Sequence, residues 1–323
     1  MTKRVIALFT AIFMLLSFAA CGENGGGETT SDIPSTTSYI RENKPVVAAV
    51  GDVTGFGVSK LAKDRDYAYD VIYYDDVQQV KDVIKNGEAD IASMSLSDAV
   101  ELYNSGVGIK VIASNNLASM YVLAKGVEVS DFSDLKNNTI YMVENDYTTQ
   151  LFTETLLEDN GVDYESLDIK KMAGTDELTA AIEGMDKYVL MLTGVDAAKL
   201  PDDEARKTAL DFTATWINLK KSLPVHSVVV ARNDYITSNP DVIDEFRMFN
   251  EVSVNFVINN TESGSIHLAE AGYFADAEIS MIYLVEYCSL GYSEKEEMKK
   301  VITESLNACA VSEIPDDGFC YTE

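Results

Sequence analysis

The chain has 323 residues, of which 46% are hydrophobic, and 53 acidic side chains against 25 Lys and Arg give it a formal net charge of −28. Such acidity excludes a nucleic-acid-binding protein, because a basic footprint supplies most of that affinity. It also disfavours adhesion to anionic lipid head groups. The length is too great for one typical core and predicts two lobes.

The amino terminus has the pattern of an export signal. Lys3 and Arg4 precede an apolar run over Val5–Ala20, and Cys21 follows directly. A basic head, a short apolar segment and small residues before a cleavage point predict a signal peptide over residues 1–20, since a spanning helix needs about 20 apolar residues. A cysteine after two alanines resembles a bacterial lipobox, so we expect Cys21 to be lipidated and held at the membrane. An ordinary signal with an incidental cysteine is the alternative.

Residues 21–44 are rich in Gly, Ser, Thr, Glu and Asn and poor in bulky apolar residues. Such a composition does not bury enough surface to order itself. We therefore expect this segment to be a flexible tether that follows the lipidated cysteine. The later sequence contains no other segment that predicts a membrane span.

Strands and helices then alternate, which predicts a mostly parallel sheet covered on both faces. Strands are predicted at Pro45–Val50, Tyr69–Tyr74, Lys110–Ser114 and Met120–Ala124. A further strand, the third in chain order, follows the turn that begins at Gly87, and this strand ends at Ser95. The helices between them are predicted up to Lys63 and over Asp75–Asn86 and Leu96–Asn104.

The next strand and helix form a βα unit, with a strand over Thr139–Val143, a polar turn, and a helix over Gln150–Glu158. In open α/β sheets ligands bind at such turns, because the first helical amides lack partners and the helix dipole adds positive charge. Asp146 as N-cap, with the hydroxyls of Thr148 and Thr149, could instead satisfy those amides. Ligand binding and simple capping both remain open.

A second βα series follows and gives way to helices, so the chain is expected to leave one lobe, build another and return. The first lobe is predicted over residues 45–136 and 229–323, and the second over residues 137–228. Strands are predicted at Ile169–Met172, Tyr188–Leu192, Leu210–Phe212 and His226–Ala231, and C-terminal helices at Pro240–Asn259, Ser265–Gly272, Ala275–Tyr283 and Ser293–Val311.

Six ordered landmarks resemble one family. They are the lipobox, a Gly-rich loop at residues 51–57, Asn86–Ala92, Asp131–Ile140, the hydroxyl turn at Thr148–Thr149, and Val228–Tyr235. Their order is similar to that of substrate-binding proteins of ABC importers in the nitrate/sulfonate/taurine and thiamine-precursor group. The resemblance is clear from Pro45 to about Asn260. It implies a type II periplasmic-binding-protein-like α/β fold, with two lobes and a ligand cleft between them.

The resemblance also implies a function and a site. The chain would be an exported lipoprotein that captures a small organic molecule and delivers it to an ABC permease with its ATPase. Hinge crossings would lie near Leu135–Thr139 and Ser227–Asp234. The residues carried over to the cleft are Asp52, Thr54, Gly55, Phe56, Ser93, Ser95, Asn115, Asn116, Asp146, Tyr147, Thr148, Thr149, Thr193, Gly194 and His226.

The charges of these loops bear on the ligand. They hold the carboxylates of Asp52, Glu144, Asp146 and Asp196 but no Lys or Arg. A helix start can bind an anion, yet nearby carboxylates oppose it. A neutral, zwitterionic or cationic molecule is therefore favoured over nitrate or simple sulfonates. Aromatic walls for a planar ring are available from Phe56, Tyr121, Tyr147 or Trp216, with core packing as the alternative for Phe56 and Trp216.

Catalytic and metal chemistry find little support in the pattern. His226 and His267 are the only histidines, and neither lies beside a nucleophile motif. With Cys21 lipidated, Cys288, Cys309 and Cys320 remain, which permit at most one disulfide and lack metal-ligand spacing. We predict a monomer with no catalytic residue, cofactor or metal. The alternatives are an exported enzyme on the same fold, or a surface protein that senses ligand without transport.

Overall fold

The computed structural model describes residues 42–66, 68–309, 311 and 313–323. The predicted signal peptide, Cys21 and most of the predicted tether lie outside these residues. No helix within them combines the length and the apolar character needed to cross a membrane.

The strands alternate with helices for most of the chain, as expected. The strands are β1 (Val46–Val50), β2 (Asp70–Tyr74), β3 (Ile91–Ser95), β4 (Ile109–Leu117), β5 (Tyr121–Lys125), β6 (Thr139–Val143), β7 (Asp168–Met172), β8 (Tyr188–Leu192), β9 (Lys207–Asp211), β10 (Val225–Arg232) and β11 (Leu290–Glu294). The α-helices are α1 (Ser59–Asp64), α2 (Val77–Asn86), α3 (Leu96–Asn104), α4 (Tyr147–Asp159), α5 (Thr175–Ile182), α6 (Gly194–Lys199), α7 (Phe212–Lys220), α8 (Asn233–Ser238), α9 (Pro240–Asn259), α10 (Thr261–Glu270), α11 (Ala277–Ile282) and α12 (Lys295–Ala308).

Helix α2 shows how local sequence sets these elements. Asp76 begins it by accepting a hydrogen bond from the Gln79 amide at 3.0 Å. Val80 and Ile84, four positions apart, are buried on one face. Gly87 ends the helix in the left-handed region at φ 78°, where glycine carries no Cβ penalty.

The strands form two sheets, with orders β11-β4-β10-β3-β1-β2 and β7-β6-β8-β5-β9. Each sheet with the helices packed on it forms a lobe, so the two-lobe α/β fold is confirmed. Both sheets are mixed. In the first, β1 is parallel to β2 and β3, while β10 runs antiparallel to β3 and β4. In the second, β6 is parallel to β7 and β8, while β5 runs antiparallel to β8 and β9. Antiparallel pairing is more frequent than the alternating pattern predicts.

The passages between the sheets differ from those expected. The chain enters the second sheet between β4 and β5 and returns between α7 and β10. Strand β5 therefore pairs on the far side of the boundary predicted at residue 136, and all of β10 from Val225 lies in the first sheet. The apolar runs of β4 and β5 read as two consecutive buried strands, and nothing in that pattern reports which sheet a strand joins.

The C-terminal region contains a strand where a helix was predicted from Ser293. Strand β11 pairs antiparallel with β4, and the Ser293 and Ser114 hydroxyls lie 2.7 Å apart. The helix begins only at Lys295. Three of the five β11 residues are buried without strict alternation, so the period of two that marks a strand is missing.

An apolar cluster joins the lobes. It packs Phe56, Val254 and Tyr273 of the first lobe against Leu190 and Ala197 of the second, all of them buried. Apolar side chains in continuous contact exclude water from much of the boundary between the lobes. Polar contacts between the lobes include those at the starts of α3 and α4.

Candidate ligand-binding site

Side chains of the chain itself cap the helix starts that face each other across the lobes. On α3, the Ser95 hydroxyl accepts a hydrogen bond from the Asp98 amide at 3.2 Å. On α4, the Asp146 carboxylate accepts from the Thr149 amide at 3.1 Å and from the Thr149 hydroxyl at 2.8 Å. The capping alternative therefore holds for these amides.

A pair of hydroxyls joins the same two helix starts. Thr148 Oγ1 lies 2.8 Å from Ser97 Oγ, to which it donates, and it accepts from the Ser97 amide at 3.0 Å. Thr148 is buried, with 8% of its surface exposed. We call this contact the hydroxyl bridge. It holds α3 of the first lobe against α4 of the second.

A histidine–carboxylate pair reinforces the bridge. His226 Nε2 on β10 lies 2.9 Å from Asp146 Oδ2, and His226 Nδ1 lies 2.7 Å from Ser227 Oγ. Burial by itself would lower the pKa of His226, but the Asp146 carboxylate outweighs burial and raises it. Burial likewise would raise the pKa of Asp146, whereas the charge and hydrogen bond of His226 and the Thr149 hydrogen bonds lower it. The two groups link the lobes, and each favours the charged form of the other.

The first predicted loop is hydrogen-bonded within itself and to strand β3. Asp52 accepts from the Thr54 amide at 2.8 Å and from its hydroxyl at 2.6 Å. Ser93 Oγ donates to the Thr54 carbonyl at 2.5 Å, and Asn115 Nδ2 reaches Ser93 Oγ at 3.5 Å. The Asn115 Oδ1 and Asn116 Nδ2 atoms are buried without a hydrogen-bond partner in the described part of the chain.

Residues 273–289, which we call the aromatic cover, lie over several predicted site residues. Tyr273 Oη donates to the Gly55 carbonyl at 2.9 Å. The Phe56 ring lies 4.6 Å from that of Tyr273 and 5.5 Å from that of Tyr283, measured between centroids. Only 1% of Phe56 is exposed. Phe56 therefore packs in the core instead of forming a free wall of a cleft.

The cover reaches the second lobe as well. The rings of Tyr121 and Tyr287 lie 5.0 Å apart in an edge-to-face arrangement. A Cβ atom on Gly194 would lie 2.7 Å from the Tyr287 carbonyl oxygen, so only glycine fits without displacement. Ser289 Oγ donates to Asn116 Oδ1 at 2.7 Å. Sequence reasoning placed these residues in an open cleft and missed the segment that covers them.

Two further predicted residues have local partners. Thr193 caps α6 by accepting from the Asp196 amide at 3.2 Å. Trp216 is fully buried, packs on Phe152 at 5.2 Å between ring centroids, and donates to Ser222 Oγ at 3.2 Å. Trp216 is thus a core residue of the second lobe.

A cavity of about 540 Å³ lies between α3, α4 and the C-terminal half of α12. Its volume is within the range of small-molecule sites. Tyr147, which is 64% exposed, and Thr148 are the predicted site residues that line it. The remaining lining residues include Leu96, Ser97, Asp98, Val100, Glu101, Leu151, Phe152, Val225, Leu306 and Cys309.

Sequence reasoning did not find this cavity. Leu96 and Val100 are four positions apart and share one helical face, and Phe152 and Leu156 are spaced in the same way. Such spacing is the usual sign of core packing. Helix α12 was assigned to the first lobe without a role at the cleft. An excess of apolar positions around α4 was the available signal, and it does not distinguish a filled core from a cavity.

The chain is similar to known proteins in sequence pattern and in fold. The family described as NMT1/THI5 like matches residues 63–264. No curated protein sequence matches the chain. An ABC transporter structure from Parabacteroides distasonis is 17% identical and superposes with a TM-score of 0.70, covering 86% of this chain and 98% of that one.

Two further solved structures share the fold. The periplasmic aliphatic sulphonate binding protein SsuA from Escherichia coli is 11% identical, with a TM-score of 0.66 over 86% of this chain and 96% of that one. The ligand binding component of an ABC-type import system from Staphylococcus aureus, solved with zinc bound, is 16% identical, with a TM-score of 0.63 over 87% and 97%. The chain has the periplasmic binding protein fold.

Proposed function

Because the chain belongs to the NMT1/THI5-like family, we propose that it is the solute-binding protein of an ABC importer, which captures a small organic molecule and delivers it to the permease. The fold shared with the P. distasonis ABC transporter and the E. coli sulphonate binding protein supports this function. The observation that carries the proposal is the 540 Å³ cavity, which is bounded by helices of both lobes.

A ligand in that position would couple binding to the arrangement of the lobes. It would contact α3 and α12 of the first lobe and α4 of the second at once. The hydroxyl bridge and the His226–Asp146 pair already join the lobes. A ligand shifts the equilibrium between joined and separated lobes only by its differential affinity for these two states. Contacts with both lobes supply that difference, and the permease would recognise the joined state.

The sequence supports a proposal for the membrane attachment and the partners. We propose that the mature protein begins at a lipidated Cys21, lies at the outer face of the cytoplasmic membrane, and is joined to it by the tether. An ABC permease and its ATPase would be its partners. We propose a monomer as the working unit.

Three hydrogen-bonded residues resemble a catalytic triad, but their burial supports a structural role for them. Asp146, His226 and Ser227 are linked by contacts of 2.9 and 2.7 Å. Ser227 has no exposed surface, since β10 lies between β3 and β4. A nucleophile must reach its substrate, so we propose that the three residues hold the lobes together and that the protein is not an enzyme.

The charge of the site supports a neutral, zwitterionic or cationic ligand. Asp98, Glu101 and Glu313 line the cavity. Carboxylates in a partly dehydrated site oppose the binding of an anion. Sulfonates, which the name of the E. coli relative suggests, are therefore less favoured for this chain.

A thermal-shift screen tests the proposal. The protein would be unfolded and refolded to remove copurified ligand, then heated with vitamins, pyrimidines, amines, amino acids and sulfonates. A ligand at 100 times its Kd stabilises the folded state by about 2.7 kcal/mol. Absence of any shift across the panel would contradict the capture of free small solutes.

A further inference from the structure

We propose that the ligand has an apolar body and one ammonium group, and that it binds in the cavity between α3, α4 and α12. The inference rests on the proposed function and adds the place and the chemical class of the ligand. Three independent features of the cavity support it: apolar walls, an acidic rim, and helix amides that are already bonded.

The walls are apolar and come from both lobes. Leu96 and Leu306 of the first lobe and Phe152 of the second are buried, with exposed fractions of 3%, 6% and 2%. Val100 and Leu151 complete the lining on α3 and α4. Ligand pockets bury most of the ligand surface against such side chains. An aliphatic or aromatic body would therefore leave water when it enters.

The rim is acidic. The cavity is lined by the carboxylates of Asp98, Glu101 and Glu313, and its described lining contains no Lys or Arg. Lys81 lies 3.3 Å from Asp98 and 2.6 Å from Glu101, so it offsets one negative charge and leaves the rim net negative. Glu101 is 68% exposed, so its carboxylate stays within reach of a ligand while it pairs with Lys81. An ammonium group fits this rim because it brings only donors and a positive charge.

Three of the helix-start amides that could hold an anion already have hydrogen-bond partners. Helix starts bind sulfonates and phosphates through free backbone amides. In this site the Asp98 amide donates to Ser95, the Thr149 amide to Asp146, and the Ser97 amide to Thr148. An anion would have to displace these partners and approach the carboxylates. The geometry therefore selects against the class of ligand that the E. coli relative is named for.

Two probes with the same alkyl chain and opposite charge distinguish an ammonium ligand from an anionic one. Isothermal titration calorimetry would measure octylammonium and octanesulfonate on the purified protein. We expect octylammonium to bind at least about tenfold more tightly, which corresponds to 1.4 kcal/mol. Equal affinities, or tighter octanesulfonate binding, would overturn the inference.

A pair of tryptophan variants locates the probe. Leu151→Trp fills the cavity from α4 and is expected to weaken octylammonium binding at least about tenfold. Leu219→Trp makes the same change on α7, where Leu219 is 53% exposed and does not line the cavity, and should leave the affinity unchanged. Far-UV circular dichroism would check that both variants fold. An unchanged affinity in the folded Leu151→Trp variant would overturn the inference.

A charge variant provides a second test that does not depend on packing. Glu101→Gln removes an exposed rim carboxylate and leaves Asp98 to pair with Lys81, so folding should be retained. We expect weaker octylammonium binding and no weakening for octanesulfonate, whereas Glu88→Gln in an exposed turn should change neither. A screened compound that binds wild type and Leu151→Trp equally would refute the inference and leave the proposed function standing. Failure of every screened compound would refute both.

Discussion

Asp146→Asn tests the ion pair between the lobes. Asparagine is also a good N-cap, so the substitution removes the charge and retains the cap of α4. The His226 side chain is 5% exposed and that of Asp146 is 39% exposed. Breaking a fully buried pair costs about 3–5 kcal/mol and an exposed one at most about 1. For this intermediate case we expect the free energy of unfolding to fall by about 2 kcal/mol near pH 5.5.

The directions of the two pKa shifts determine how the stability loss in Asp146→Asn depends on pH. The pKa of His226 is raised, so its contribution is complete below the unfolded value of about 6.5 and is lost as pH rises through the folded value. The pKa of Asp146 is lowered, so its contribution is present at pH 5.5 and is lost only in stronger acid. Urea titrations at pH 5.5 and 9.0 should therefore show a larger difference between wild type and variant at the lower pH.

A control and a contradictory outcome complete this test. Asp76→Asn changes the equivalent cap of α2, where no histidine is bonded, and its effect should be the same at both pH values. If the loss caused by Asp146→Asn were equal at pH 5.5 and 9.0, the reasoning about His226 would be wrong.

Three further changes test other parts of the boundary and the core. Thr148→Ala with Thr149→Ala removes the hydroxyl bridge and a cap contact and should lower the free energy of unfolding by about 2 kcal/mol in urea titration; no loss would show that the bridge is not formed in solution. Gly194→Ala places a methyl group against the aromatic cover and should cost about 1–3 kcal/mol, while Gly174→Ala, with open space around it, should not; equal effects would contradict the close approach. Phe319→Ala empties a site that is 3% exposed and should cost about 3–5 kcal/mol, seen as a lower Tm in calorimetry; a change under about 1 kcal/mol would mean that the C-terminal residues do not pack there.

The lobes and most strands could be predicted because their signals are local. The βα unit at Thr139–Val143 changes from strand to helix periodicity within a few residues, and Asp146 stands where an N-cap is expected. The structure confirms this unit. Helix α4 begins at Tyr147, three residues earlier than predicted, because the polar turn residues were read as loop.

The parts that could not be predicted depend on contacts between distant residues. Tyr273 reaches Gly55 across more than 200 positions, and no local pattern reports such a partner. The residues of β11 lack the alternation of a strand and find their place only through β4. Phe56 illustrates the consequence for the site. A loop aromatic beside glycines reads as a ligand wall until the cover that buries it is known.

The central place of β10 in the first sheet bears on the order in which the lobes fold. Strand β10 separates β3 from β4, although it follows β4 by more than a hundred residues. The first sheet is therefore divided until Val225–Arg232 arrives, whereas β5 to β9 are continuous in sequence and can pair among themselves. Closing long loops slows folding. We expect pulse-labelled hydrogen exchange to show protection in the second lobe first, so that the chain completes its first lobe last.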